Sequence, residues 1–200
     1  MARDYPGATT DYHSNAASPV TAVPFTFACW FNAAALTTRQ TLVSIADTAV
    51  ATNYHTLRLN TAAGGSNVQA RSNAGAGDSI ANSSTGFTDN VWSHAAGVWT
   101  SATDRVAYLN GGNSGSNATS TTPTSIDTLA FGLTVHSGTA QEVNGSLAEV
   151  GIWDAALTAA EIAILGDGVS PLLVRPASLV LYCPLLRGLS GAASSTVKAA

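Results

Sequence analysis

The sequence predicts an all-β fold, an antiparallel two-sheet sandwich or jelly roll, with one short helix. Two observations support this prediction. Short segments in which apolar and polar residues alternate recur roughly every ten residues, and runs rich in Gly, Asn, Ser and Thr separate them. A helical spacing of apolar residues is clear in only one short segment. A chain of 200 residues is long enough for one such domain with a well-buried core.

The segment FTFACWF shows the strand pattern clearly, because Phe25, Phe27, Cys29 and Phe31 fall on one face of a strand. Glycine and asparagine clusters such as Gly64-Gly65 mark the turns between strands. Together these signals predict strands at Pro24–Asn32, Thr41–Asp47, Tyr54–Asn60, Asn67–Asn73, Ser79–Ser83, Trp92–Thr100, Arg105–Asn110, Thr128–Val135, Gly145–Trp153 and Ser178–Cys183.

The helix is predicted at residues 158–165, in the segment ALTAAEIAILGDG. Thr158 can cap its first turn and Glu161 follows three residues later, which is the spacing of a capping box. Leu157 and Ile162 are spaced for the accompanying hydrophobic staple. Gly166 is placed to end the helix after about two turns.

The segment WSHAAGVWTSATDRVAYLNG, Trp92–Gly111, contains both a histidine and an aspartate but is typical of a β-hairpin. Asp104 falls in the turn, whereas His94 falls near the start of the first strand. With a rise of about 3.3 Å per residue the two side chains lie well apart, so they do not form a catalytic pair. The following low-complexity segment, Asn110–Ser125, predicts an exposed loop.

The hairpin residues W-x-H-x-A-x-V and V-x-Y-L-N-G resemble the central hairpin of laminin-G-like, concanavalin A-like jelly-roll domains. The resemblance continues in NGSLAEVGIWDAALTAAEIAIL, and FTFACWF and LVLYCPL are similar to the first and last strands of that family. It covers roughly residues 20 to 186 and implies the jelly-roll fold. It implies no single function, because lectins, glucanases, adhesion modules and viral structural proteins share this fold.

Carboxylate spacing argues against glycosidase activity. Glycosidases of this fold carry two carboxylates that face the cleft from one strand. The three glutamates of this chain are Glu142, Glu149 and Glu161, and neither Leu147 nor Gly151 gives Glu149 an acidic partner. No Gly-x-Ser-x-Gly nucleophile elbow is present either. We therefore expect no catalytic residues.

Metal-ligand patterns are also absent from the sequence. No two of the four histidines are two or four residues apart: they are His13, His55, His94 and His136. Some laminin-G-like domains bind calcium at a rim, so the resemblance leaves calcium open. The loop aspartates form no Asp-x-Asp-x-Asp cluster and are expected to be solvated: Asp47, Asp78, Asp89 and Asp127. We expect no cofactor.

Charge is sparse, at 10% of residues, and the net charge is −4. Lys198 is the only lysine among eight basic residues, so seven are arginine. Without a broad basic face, nucleic acid and anionic membranes are poor partners. No apolar leader follows Met1, so we expect no signal peptide. Cys29 and Cys183 lie in apolar runs and are expected to be buried thiols, with a disulfide left open.

The two ends are poor in apolar residues. We therefore expect an N-terminal arm at residues 1–20, the jelly-roll domain at 21–186 and a C-terminal tail at 187–200. The arm residues Tyr5, Pro6 and Tyr12 are candidates for gripping a neighbouring subunit or a shell. This hypothesis predicts a homo-oligomer, with a trimer as the expected state.

These features favour a non-enzymatic structural protein of a bacteriophage virion. The expected role is a capsid decoration or cement protein on the capsid surface, bound to the major capsid protein or another virion protein and assembled in the host cytoplasm. The C-terminal segment SPLLVRPASLVLYCPLLRG also resembles small laminin-G-like proteins that phages and prophages encode.

The alternative is a carbohydrate-binding, lectin-like adhesion module on a virion or a secreted protein. Such a site needs an aromatic platform with polar neighbours. The candidate glycan contacts are Tyr54, His55, Trp99 and His136. The other tryptophans, Trp30, Trp92 and Trp153, are expected in the core because each lies in an apolar strand.

Overall fold

The computed structural model describes residues 2–7, 12–34, 38–60, 66–75, 77–136 and 141–185. They form two antiparallel sheets that pack face to face, which confirms the predicted jelly-roll sandwich. In order across sheet A lie β1 (Arg3–Pro6), β12 (Asn144–Trp153), β3 (Phe25–Ala33), β8 (Ser93–Ser101), β9 (Asp104–Leu109) and β10 (Gly112–Asn117), and β13 (Leu179–Cys183) also pairs with β12. In order across sheet B lie β2 (His13–Asn15), β11 (Thr128–Phe131), β4 (Gln40–Ala46), β5 (Tyr54–Asn60), β6 (Asn67–Asn73) and β7 (Asp78–Asn82).

An aromatic cluster fills the core between the sheets. The ring of Trp99 stacks on Phe25 with centroids 4.8 Å apart and lies 5.2 Å from Phe27. All three side chains are fully buried. The indole N–H of Trp99 donates to Ser72 Oγ at 2.9 Å, so its one polar atom is satisfied. Burial of these large rings supplies much of the apolar stabilisation of the sandwich.

A second apolar layer covers the outer face of sheet A. Helix α1 (Ala159–Gly166) packs Ile162 and Leu165 over Trp153, whose indole N–H donates to Val174 O at 2.8 Å. The Thr158 side chain accepts from the Glu161 amide, and the Glu161 carboxylate accepts from the Thr158 amide. The predicted helix and its capping box are therefore confirmed.

The N-terminal residues are part of the sandwich rather than a free arm. β1 adds to the edge of β12 in sheet A, and β2 adds to β11 in sheet B. Tyr5 is fully buried, and its hydroxyl lies 3.0 Å from His13 Nδ1. Tyr5 thus stabilises its own domain and is not available to grip a neighbour, which corrects the expectation for this residue. Pro6 and Tyr12 are exposed, and residues 186–200, which include the expected tail, lie outside the described residues.

The segment 110–125 contains a strand that its composition did not predict. β10 pairs with β9 at the edge of sheet A, and most of its residues are exposed, so no apolar alternation marks it. Arg105 organises the rest of the segment from β9. Its guanidinium donates to Ala102 O at 2.7 Å, Thr119 O at 2.9 Å and Asn117 Oδ1 at 2.5 Å.

The predicted hairpin is present as β8 and β9, with Asp104 at the turn and His94 at the far end. Cys29 is buried, Cys183 is half-buried, and both are free thiols. No helix in the described part of the chain is long and apolar enough to cross a bilayer.

Candidate ligand-binding face

The side chains on the outer face of sheet B are mostly polar, although the strands that carry them are largely buried. Leu57 and Leu59 of β5 point into the core. Because side chains alternate along a strand, Tyr54, Thr56 and Arg58 point outward. The same alternation on β6 and β7 directs Gln69, Arg71, Asn73 and Asp78 to this face, opposite those residues in the register.

Three of the seven arginines lie on this surface: Arg39, Arg58 and Arg71. We call the surface the arginine face, and it also includes Tyr54, Thr56, Asp78 and His136. Arg71 forms an ion pair with Asp78, with Nη2 2.6 Å from Oδ1. Arg39 donates to Asn60 Oδ1 at 3.3 Å at the end of β5. Asp78 is the one carboxylate that pairs with an arginine on this face within the described residues. The arginine face is therefore positive, in a chain whose net charge is −4.

Arg58 is buried without a carboxylate partner among the described residues. Only 2% of the residue is exposed. Its Nε donates to Gln69 Oε1 at 2.7 Å, and Nη1 donates to Gln141 Oε1 at 3.5 Å. Burial, together with the charges of Arg71 and Arg39, lowers the pKa of Arg58 to about 9. A buried cation held by neutral amides is costly, and an anion bound beside it would offset that cost.

Aromatic rings lie beside the arginines. Tyr54 stacks on His136 with ring centroids 5.2 Å apart and planes 16° apart. The Arg71 guanidinium carbon lies 4.6 Å from the centroid of the Tyr54 ring, which is cation–π geometry. Burial and the nearby Arg71 charge lower the pKa of His136, so its imidazole is neutral at pH 7. The face therefore combines cationic donors with aromatic rings.

Two buried polar atoms of the arginine face have no hydrogen-bond partner among the described residues: Thr56 Oγ1 and Arg71 Nε. The two residues are direct register partners on β5 and β6, so these atoms share one part of the face. A buried polar atom without a partner costs free energy, commonly about 1–3 kcal/mol. Such atoms indicate a place where a ligand or water supplies the missing bonds.

The residues that flank 137–140 lie over part of the face. Ser44 Oγ donates to Leu133 O at 2.8 Å, and the hydroxyls of Thr41 and Thr134 are 2.8 Å apart. Gln141 reaches Arg58 from the same segment. Residues 132–136 and 141–143 thus bring His136 and Gln141 to the arginine face, although they are remote in sequence from β5.

The structure brings together two of the four predicted glycan contacts. Tyr54 and His136 stack on the arginine face. His55 and Trp99 lie in the core, where both contact Ser72, so their assignment to a glycan site was wrong. Burial lowers the pKa of His55 to about 3, which keeps it neutral. The alternation of Tyr54–Asn60 already placed His55 on the same face as Leu57, and that signal would have excluded it.

Two of the tryptophans assigned to the core are elsewhere. Trp153 is fully buried as expected, but Trp92 is 42% exposed and Trp30 is half-buried on the outer face of sheet A. Trp30 falls opposite to Phe27 and Phe31 in the alternation of β3, which directs it away from the core.

The aspartates considered for calcium have protein partners or lie apart. Asp127 accepts from the amide and hydroxyl of Thr48, and Asp47 accepts from the Ala49 amide at 2.9 Å. Asp78 is engaged by Arg71 and Asn73. Within the described ranges, no group of three or more His, Cys, Asp or Glu side chains could hold a metal ion.

Residues 7–163 match the sequence profile of the concanavalin A-like lectin/glucanases superfamily, so the chain belongs to that superfamily. A comparison with curated proteins finds no match.

Several solved structures share the fold at low sequence identity. The CBM40 of the IT-sialidase of Ruminococcus gnavus, bound to α2,3-sialyllactose, aligns at a TM-score of 0.67 with 12% identity, over 83% of this chain and 98% of that one. Tailspike protein 2 of bacteriophage CBA120 aligns at 0.66 with 15% identity, over 91% of this chain and 29% of its enzymatically active domain. A heptameric SAP-like pentraxin from Limulus polyphemus aligns at 0.64 with 14% identity, over 84% of this chain and 82% of that one. At these identities the likeness shows the fold alone.

Proposed function

We propose that this member of the concanavalin A-like lectin/glucanase superfamily is a non-enzymatic carbohydrate-binding module whose arginine face binds acidic glycans. The observation that carries the proposal is the buried guanidinium of Arg58, which neutral amides hold. A carboxylate or sulfate on a sugar matches the chemistry of this face, because guanidinium groups bind planar oxyanions with two parallel hydrogen bonds.

The remaining groups suit the sugar ring itself. His136, which is partly exposed and stacks on the buried Tyr54 ring, provides aromatic surface for the apolar face of a pyranose. Thr56 Oγ1 and Arg71 Nε have unfilled hydrogen-bonding capacity beside it. The fold of the sialyllactose-bound CBM40 supports the proposal as a precedent for glycan binding on this scaffold.

The test is calorimetric titration with two oligosaccharides that differ in one acidic sugar, α2,3-sialyllactose and lactose, and a second pair, digalacturonate and lactose. We expect both acidic ligands to bind at least about tenfold more tightly than lactose, since a hydrogen-bonded charge pair contributes about 1.5–3 kcal/mol. Arg71→Met should remove most of that preference. The matched control is Arg3→Met, because Arg3 is a partly exposed arginine on β1 of the other sheet.

Equal affinity for the acidic and neutral ligands, or an unchanged preference in Arg71→Met, would reject the proposal. Arg71 is partly exposed, so its replacement is compatible with folding. A melting curve for each variant separates lost binding from lost structure.

A virion location is a second proposal, and the exposed apolar residues beside helix α1 favour it. Leu172 and Leu173 are 43% and 75% exposed and follow Val169, which is also exposed. Exposed apolar side chains grouped in this way are typical of protein contacts. A decoration protein would use such a patch against a shell protein or its own copies.

Light scattering of the wild type and of Leu173→Ser tests self-association. A trimer that the substitution weakens supports the proposal, and a monomer in both proteins weakens it.

A further inference from the structure

A cleft of about 320 Å³ opens on the outer face of sheet A, beside the C-terminal end of α1. This volume is within the usual range of small-molecule sites. Its apolar wall consists of Ala28, Leu165, Gly168, Val169 and Pro171. Its other lining residues are Trp30, His94, Glu149, Ser170 and Tyr182. The arginine face lies on the other sheet, so the cleft is a separate site.

The sheet register sets these side chains in a row. Trp30 of β3 lies directly opposite His94 of β8 on one side and Ala148 of β12 on the other. The pairing of β12 with β3 shifts immediately after Ala148, and Glu149 adopts a φ of +53° at this bulge. Non-glycine residues seldom occupy this left-handed region, and such positions are often found at functional sites. The bulge brings the Glu149 carboxylate to the cleft.

Glu149 is the one acidic residue in the cleft lining, and no lysine or arginine lines the cleft. The Tyr182 hydroxyl donates to Glu149 Oε2 at 2.6 Å and so orients the carboxylate. Among the described residues no ion pair involves Glu149. A carboxylate that a neutral hydroxyl holds in a cleft without lysine or arginine favours a cationic ligand.

His94 adds a neutral polar group to the same cleft. The residue is 98% buried, and its Nδ1 has no hydrogen-bond partner in the part of the chain that the structure describes. Burial lowers the pKa of His94 to about 4, so the ring carries no charge at pH 7. It therefore does not repel a cation.

Two further features of the cleft favour a bound cation. The ring of Trp30 lies 5.6 Å from the His94 ring in the cleft lining, and an indole face attracts cations. Leu165 and Gly168, at the C-terminal end of α1, also line the cleft, and the last turn of this helix has no basic residue. The C-terminal end of a helix carries partial negative charge and stabilises cations within about one turn.

We propose that this cleft binds a guanidinium or alkylammonium group, with the Glu149 carboxylate as its counter-ion and Trp30 as its aromatic contact. The cation is either a free amine or a basic side chain of a partner protein. Both sources present the same chemistry to the cleft.

The test compares N-acetylarginine amide with N-acetylcitrulline amide, which has nearly the same shape without the charge. NMR titration of the wild-type protein follows the Trp30 indole and His94 amide signals. We expect the arginine compound to shift both signals and to bind at least about tenfold more tightly than the citrulline compound. Equal binding of the two, or no binding at millimolar concentration, overturns the proposal without any variant.

Substitutions in the cleft test which residues contact the bound cation. Glu149→Gln should weaken binding about tenfold, and Trp30→Leu should weaken it by a similar factor. The matched control is Glu142→Gln, because Glu142 is another half-buried glutamate and does not line the cleft. If Glu149→Gln binds the arginine compound as tightly as the wild type, the assigned counter-ion is wrong.

A third ligand, N-acetylarginyl-leucine amide, distinguishes the two sources. The exposed side chain of Val169 lines the cleft and Leu172 directly follows the lining residue Pro171, so we expect both to contact its leucine. Affinity at least about fivefold above that of the arginine compound would support a protein segment as the source. Equal affinity of the two would support a free amine, and both results retain the cationic site.

Discussion

The outer face of sheet A is covered by a helix and apolar side chains and has an acidic cleft, whereas the outer face of sheet B carries three arginines. On sheet A, Trp153 and helix α1 form a second core. On sheet B, Arg58 is equally buried but gains only neutral hydrogen bonds. Buried residues of the two faces therefore differ in role: those of sheet A stabilise the fold, whereas we propose that Arg58 of sheet B serves ligand binding.

Replacement of Trp153, on the outer face of sheet A, should have the largest effect on stability. Trp153→Ala empties the space beneath α1 and leaves Val174 O without its donor, so we expect the free energy of unfolding to fall by about 3–5 kcal/mol. Urea unfolding followed by circular dichroism measures the change. Trp92→Ala is the matched control, since Trp92 is 42% exposed and should cost less than about 1 kcal/mol. A small loss in Trp153→Ala would contradict the role assigned to this second core.

Substitutions at two buried arginines, one in each sheet, test the comparison between the sheets further. Arg105→Met should lower the free energy of unfolding by about 3 kcal/mol, because its bonds to Ala102 O and Thr119 O are lost. Arg58→Met should leave stability unchanged or raise it by up to about 1 kcal/mol, because it removes a buried cation that has no carboxylate partner among the described residues. The same Arg58 variant should lose affinity for acidic glycans. A large destabilisation by Arg58→Met would show that Arg58 is structural.

A single methyl group tests how closely the cover of sheet A is packed. A Cβ at Gly151 would lie 2.5 Å from the Trp153 ring and 3.2 Å from Pro171. We expect Gly151→Ala to cost about 1–3 kcal/mol in thermal or urea unfolding. The control is Gly112→Ala on edge strand β10, where no atom lies within 4 Å of the added carbon. If the two variants unfold alike, the packing of Trp153 against Gly151 is looser than described.

The smallest effect concerns pH. Burial, with a smaller contribution from Arg105, lowers the pKa of His55 to about 3, and burial lowers that of His94 to about 4. Unfolded histidines titrate near 6.5, so the unfolded state binds more protons and stability falls as pH drops below about 6.5. Each histidine should lower the free energy of unfolding by about 0.7 kcal/mol between pH 7 and pH 6.

The variant His94→Gln measures the share of one histidine. Its urea midpoint should change less between pH 7 and pH 6 than that of the wild type. An unchanged pH slope would mean that His94 titrates normally in the folded protein.

Most of the sandwich could be predicted from the sequence, because alternation reports which strand face is buried. β5 and β6 have the predicted bounds, and the capping box located α1. The strands β1, β2 and β10 could not be predicted in this way. Each lies at a sheet edge and is short or mostly exposed, so its sequence shows little alternation. Tyr5 was assigned to an arm because its burial depends on pairing with β12, some 140 residues away.

The candidate sites were less accessible to sequence analysis. Arg58 and Arg71 alternate with core residues and therefore look like ordinary outward side chains. Their significance comes from the burial of Arg58, from its contact with Gln141, which is remote in sequence, and from the single carboxylate that pairs with an arginine on this face. Glu149 gave no signal because its place in the cleft depends on a bulge and on Tyr182, 33 residues later.

The most direct test of the account is an NMR titration of the ¹⁵N-labelled protein with α2,3-sialyllactose. We expect the largest shifts at Thr56, Arg71 and His136 on the arginine face, with little change at Trp30 and His94 in the cleft of sheet A. Lactose at the same concentration should leave all of these signals nearly unchanged. Shifts confined to the cleft, or identical shifts with lactose, would contradict the assignment of acidic-glycan binding to the arginine face.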